Sequence, residues 1–118
     1  MRHHVKTRTL HRDKRQRTAL LRSLARSLVM HEGINTTVAK AKELRPYIER
    51  LVTNSKKNTL ASRRSIASIL GNDVETTKKL HDTLAARYAT RAGGYTRIVR
   101  LGRVGKRVGE SARIEFVQ

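Results

Sequence analysis

Residues Arg91-Ala92-Gly93-Gly94-Tyr95-Thr96-Arg97-Ile98 mark the point where the chain changes period. Upstream, Leu80, Leu84, Ala85 and Tyr88 fall at helical spacing; downstream, Tyr95 to Leu101 alternates as a strand. Two adjacent glycines can adopt backbone angles closed to other residues, and they leave the main chain bare for a close partner. Arginines stand on both sides of the pair. A tight turn between guanidinium groups suits a polyanion, whose phosphate oxygens can meet backbone N–H groups and fixed cations together. A glycine pair also serves ordinary helix-to-strand loops, so the remainder of the chain decides.

Following the turn, Tyr95, Arg97, Val99 and Leu101 fall on one side of a strand and Thr96, Ile98 and Arg100 on the other. Residues 102–110, GRVGKRVGE, form a long loop carrying Arg103, Lys106 and Arg107. Ser111 to Val117 reads as a second strand with Ala112, Ile114 and Phe116 on one face. The pair is predicted to be an antiparallel hairpin with a long basic tip. Between Asp82 and Glu110 there is no acid, yet seven Arg or Lys residues fall there. Such a run points to a polyanion-binding loop more than to a merely solvated one.

Toward the N-terminus the pattern is helical. Val74 to Ala89 forms a fourth helix, started by Asp73 after a stop at Gly71-Asn72. A third spans about Leu60 to Leu70, with Leu60, Ile66, Ala67 and Leu70 apolar and Arg63-Arg64 in its middle. The second spans Val38 to Asn54, capped by Thr36 or Thr37. Ala41, Leu44, Ile48 and Leu51 form its stripe, and Lys40, Lys42, Arg45 and Arg50 decorate its other faces. Pro46 lies inside it and predicts a kink or break near Arg45-Pro46. Ile34 to Thr37 is a short strand. The first helix opens at Asp13, whose DKRQ segment has the form of a capping box. Leu20, Leu21, Leu24, Ala25, Leu28 and Val29 give it a wide apolar face, opposite Arg15, Arg22 and Arg26. Gly33 is expected to end it as a left-handed cap. Residues 1–12, with Arg2, Lys6, Arg8 and Arg12, read as an extended basic arm, ordered by a partner. Residues 13–118 then make one domain, with neither an internal repeat nor a separable second unit.

The 118 residues suit a single modest core, which must be mainly aliphatic because only Tyr47, Tyr88, Tyr95 and Phe116 are aromatic. Lys and Arg number 27 against 9 Asp and Glu, a net charge of +18. Self-repulsion on that scale opposes compactness, and a polyanion relieves it. Nucleic acid is the default partner, since each neutralised phosphate releases a condensed counterion. Cysteine is absent, which excludes a disulfide framework and Cys-ligated metals. No apolar run approaches a membrane span. The basic first twelve residues lack the apolar centre of a secretory signal.

Reaction chemistry is not encoded in any recognisable form. Neither a GxxxxGK[ST] loop nor a GxGxxG turn between strand and helix occurs. Gly102, Gly105 and Gly109 lie between strands, so they do not form a dinucleotide site. His3 and His4 have no further ligands at metal-binding spacing. His81 and Asp82 are adjacent in a helix and point about 100° apart, so one cannot orient the other. The scattered acids do not make a two-metal nuclease site. The reading is a non-enzyme with no cofactor, no metal and no small-molecule substrate.

Single-strand binders stack bases on several aromatics, which this chain lacks. Major-groove readers use a recognition helix and usually a dimer seam, and neither is visible. What remains is binding spread over arm, helix faces and hairpin tip, reading the backbone and shape of a folded RNA. The alternative is a DNA-compacting architectural protein, which would want an apolar wedge at a loop tip; Val104 and Val108 are all this one offers. A membrane-surface protein would need exposed, large apolar helix faces, whereas these stripes match one another as a core.

Met1-Arg2-His3, TTVAKAKELRP (Thr36 to Pro46), Arg63-Arg64 and RAGGYTRI (Arg91 to Ile98) together resemble the bacterial-type large-subunit ribosomal protein seventeen family over essentially the whole chain. The resemblance implies an α+β domain, about four helices on a small mixed three-stranded sheet. It implies a structural role in the large subunit, in the cytoplasmic or an organelle ribosome. Its partners would be large-subunit ribosomal RNA, near the exit of the peptide tunnel, and neighbouring ribosomal proteins. On the matching positions, Arg2, His3, Lys40, Lys42, Arg45, Arg63, Arg64, Arg91, Gly93, Gly94, Tyr95 and Arg97 are expected to face RNA. Charge adds Lys6, Arg8, Arg12, Arg15, Arg22, Arg103, Lys106 and Arg107.

Overall fold

The computed structural model describes residues 8–103, 105 and 109–118. Helix α1 (Lys14–His31) starts where its sequence says it should, with Asp13 accepting from the Gln16 N–H at 2.8 Å. Its end differs from expectation. Glu32, not Gly33, takes the left-handed conformation, with φ +62°, and its N–H closes on Leu28. Gly33 instead opens strand β1 (Gly33–Thr37). A Cβ there would press on the movable end of Arg113 and lie 3.2 Å from the Glu115 Cβ across the sheet, a tight fit.

Thr37 caps α2 (Val38–Ser55), accepting from the Lys40 N–H at 3.2 Å. This helix continues across Pro46, so the expected break does not occur. Proline removes the donor for the Lys42 carbonyl. Both Lys42 and Pro46 are exposed, which leaves that carbonyl on the side where water can satisfy it. Helix α3 (Leu60–Ile69) is capped by Thr59. Leu60, assigned to its apolar stripe from sequence, is 63% exposed, because the helix's first position precedes the turn that reaches the core.

Asp73 caps α4 (Val74–Lys79), which passes without interruption into a π-helical turn (Leu80–Leu84) and a last α-helical turn, α5 (Ala85–Arg87). Nothing in the residue pattern announces the wider turn, but its effect is simple. Leu80, Leu84 and Tyr88 are all buried and spaced by four. A row at that spacing drifts around a helix of 3.6 residues per turn, and one wider turn brings it back into line.

Strands β2 (Thr96–Gly102) and β3 (Ser111–Phe116) form the expected hairpin. The sheet order is β1-β3-β2 and both pairings are antiparallel. The mixed sheet implied by resemblance is therefore corrected: β1 and β2 point the same way, but β3 separates them. Ile34, Ile114 and Ile98 lie in one cross-strand row on the inner face. That face meets the helices in one core built from Leu28, Leu44, Ile48, Ile66, Leu84 and Ile114 among others. Tyr88, Tyr95 and Phe116 fill one end of it, with ring centroids 5.1 and 6.3 Å apart.

Candidate nucleic-acid interface

The Gly-Gly turn is held against α2 by side chains from both. Tyr95 is 1% exposed, and its hydroxyl meets Thr53 Oγ1 and Lys56 Nζ, each at 3.0 Å. Lys56 also donates to the Arg91 carbonyl. One turn earlier on α2, Glu49 Oε2 accepts from the Thr96 hydroxyl at 2.9 Å and its N–H at 3.3 Å. The second half of α2 and the stretch 91–98 thus form one unit. Within it Gly93 has φ +148° and Gly94 φ +62°, yet nothing lies within 4 Å of where either Cβ would be. Glycine is demanded here by backbone angle and not by a neighbour in the chain, so the outside of the turn is open to something else.

Tyr95 therefore corrects the expectation of a surface ring. It is a core residue that fastens the turn, and its effect on any ligand passes through the backbone of 91–94. Arg91 lies exposed beside the turn and donates from Nε to the Gly93 carbonyl at 3.2 Å. Arg97 is exposed on the outer sheet face and pairs with Glu115 at 2.7 Å, which also takes Arg113 at 3.1 Å. Hydrogen bonds from Arg97 and then Arg113 hold the Glu115 carboxyl below the usual carboxylate range. Arg103 is exposed at the foot of the hairpin loop. On α2, Lys42 and Arg45 are exposed, Arg45 facing Glu49 at 3.7 Å, and Lys40 is half-buried. On α3, Arg64 is exposed, while exposed Arg63 reaches Asn58 at 3.1 Å. Arg15 is exposed on α1.

Other expected residues face inward in their function. Arg8 gives its N–H and its guanidinium to the buried Glu43, which Arg17 grips at 2.6 Å from the other side. Arg22 donates to the Ile69 carbonyl at 3.0 Å and packs under Gly71, closing the end of α3. Arg12 donates to the Leu10 carbonyl at 2.8 Å. Arg2, His3, Lys6, Lys106 and Arg107 lie outside the described residues. Two further cations that sequence reasoning does not single out, Arg50 and Lys57, are exposed and not ion-paired with an acid among the described residues. Arg50 lies on α2 and Lys57 just past its end.

His81 and Asp82 diverge as the helix geometry requires, one buried and one exposed. Burial, helped by the nearby Arg63 charge, pushes the His81 pKa below its ordinary value, against a weaker opposing pull from the Ser55 backbone. Among the described residues there is no metal-binding cluster, and no helix is long and apolar enough to cross a membrane.

Residues 20–117 match the model of the ribosomal protein L17 family. The chain belongs to that family. It is 50% identical over 117 residues to the large ribosomal subunit protein bL17 of Sphingopyxis alaskensis, covering 99% of this chain and 84% of that one. It is likewise 50% identical over 121 residues to the bL17 protein of a Hydrogenobaculum species, covering all of both chains. The bL17 protein of Rickettsia bellii shows 50% identity over 118 residues, covering the whole of this chain and 80% of its own. L17 membership makes this a ribosomal protein and not an enzyme.

Proposed function

We propose that the protein is a structural constituent of the large ribosomal subunit that binds folded ribosomal RNA through phosphate-backbone and shape contacts. The observation that carries this is the fastened, outwardly open Gly-Gly turn flanked by exposed Arg91 and Arg97. It is a fastened, cationic main-chain surface with no occupant among the described residues. The other exposed cations, on α1, α2, α3 and the hairpin, lie outside one groove, as suits a molecule enclosed by RNA. It would act in the ribosome, in the cytoplasm, and the resemblance favours a position near the tunnel exit beside other ribosomal proteins. No step of chemistry is involved. Binding replaces water and counterions around phosphate by preorganised guanidinium and N–H donors.

The test is a variant with Arg91→Ala and Arg97→Ala, assayed for binding to large-subunit RNA across a salt series and for incorporation into the subunit in cells. For every phosphate that is no longer neutralised, the slope of log K against log salt should flatten by about 0.7 to 0.9. Incorporation of the variant at the parental level would overturn the assignment of these residues. The DNA-compacting reading is separated by competition: duplex DNA displacing structured RNA would favour it.

A further inference from the structure

A groove of about 510 Å³ runs between the second half of α2 and the Gly-Gly turn. Arg50 and Lys57 stand on one side, Ala92 and Gly93 give a bare main-chain wall, and Pro46 supplies a flat apolar ring. Glu49 lies in the same groove. Its Oε2 is occupied by Thr96 and Arg45, while Oε1 makes no hydrogen bond among the described residues.

A carboxylate in an otherwise cationic groove repels phosphate and accepts N–H donors. A phosphate alone would be poorly served there; a base attached to a phosphate would be served at both ends. We propose that this groove receives one unpaired nucleotide of the bound RNA, its base lying between Pro46 and the 92–93 backbone and its phosphate toward Arg50 and Lys57. Glu49 and Asn54 meet the base edge. Guanine suits this floor best, because its N1–H and N2 amino group present two adjacent donors, one for the open Glu49 Oε1 and one for the Asn54 side-chain oxygen. Cytosine and adenine offer one amino group each, and uracil a single ring N–H. The volume is in the range of small-ligand pockets. The inference deepens the ribosomal reading by naming what one part of the interface takes, and it rests on that reading for its biological meaning.

The test uses the whole protein, labelled with 15N, titrated with GMP, AMP, CMP, UMP and inorganic phosphate at millimolar concentration, with binding to large-subunit RNA measured on the same sample. GMP should move the Thr53, Asn54, Ala92 and Gly93 amide signals. It should bind about fivefold or more tighter than UMP, the low end of discrimination by a two-point base contact. Arg50→Ala with Lys57→Ala, both exposed and free of ion pairs among the described residues, should weaken the response severalfold. Shifts reproduced by phosphate alone, equal responses to all four nucleotides, or none with GMP would overturn the subsite, even where RNA binding is intact. A GMP response in a protein that ignores large-subunit RNA would uphold the subsite and overturn the ribosomal reading instead.

Discussion

Replacing Glu43 by Ala probes the one buried acid that sits among arginines. Its carboxylate is 7% exposed and takes three hydrogen bonds, from the Arg8 N–H at 3.1 Å, Arg8 Nη1 at 2.9 Å and Arg17 Nη2 at 2.6 Å. Hydrogen bonds to charged groups contribute about 1.5–3 kcal/mol each, and breaking a fully buried pair costs about 3–5. The Arg8 and Arg17 side chains are 44% and 27% exposed, so both can turn to water when the acid is gone. That places the expected loss at about 2–3 kcal/mol, below the buried-pair figure. Urea unfolding at fixed ionic strength measures it, and the midpoint should fall with the slope unchanged. Pairing the change with Arg17→Ala in a double-mutant cycle should give a coupling of about 1–2 kcal/mol. A loss under about 0.5 kcal/mol, or a coupling near zero, would refute the view that this clasp fastens the start of the chain to α2.

Gly94→Ala should cost about 1–2 kcal/mol through backbone strain alone, since its φ is +62° and no atom crowds the new methyl, and Gly93→Ala should cost more; thermal melts would report both. Pro46→Ala restores a helical donor at an exposed site and should stabilise by about 1–2 kcal/mol, which denaturant unfolding would show. His81, held neutral by burial, has a folded pKa below its unfolded value. Its contribution is complete above the ordinary value near 6.5 and is lost as pH falls toward the folded pKa; His81→Leu should flatten stability between about pH 7 and 5. Glu32 is held below the carboxylate range chiefly by its hydrogen bond from Arg87, so its contribution is lost only as pH falls through that lowered value. Arg87→Met should reduce that acid-side slope in a pH series of melts, leaving the part that Lys79 supplies at 3.5 Å.

The legible parts of the fold are those fixed by neighbours in sequence. Asp13, Thr37 and Asp73 each cap a helix because the acceptor and the N–H lie three residues apart; Thr59 does the same for α3, and the sequence reading passes it over. The inward face of β3, with Ala112, Ile114 and Phe116, follows from alternation alone. What local pattern hides depends on distant residues. Tyr95 reads as exposed beside a basic turn, yet its hydroxyl partner Thr53 stands 42 positions away. Gly33 reads as a helix cap, yet it opens a strand whose neighbours across the sheet, Arg113 and Glu115, lie about 80 positions away. Of the expected RNA-facing residues, Arg8 and Arg22 are occupied within the fold. Charge shows that a residue is cationic, and not whether an acid or a helix end already holds it.

The position of β3 has a consequence for how the molecule is made. The strand at the centre of the sheet follows both of its partners in the chain, and the hydrogen bond from Arg113 to Asn35 spans 78 positions. During synthesis Ile34 and Ile98 have nothing to pair with until Ser111–Phe116 has emerged. The helices can collapse first, but cooperative closure waits for the final stretch, and such long-range pairing is slow. A nascent chain stalled before residue 111 should therefore be open to protease, while one extended past 118 by a linker should resist it.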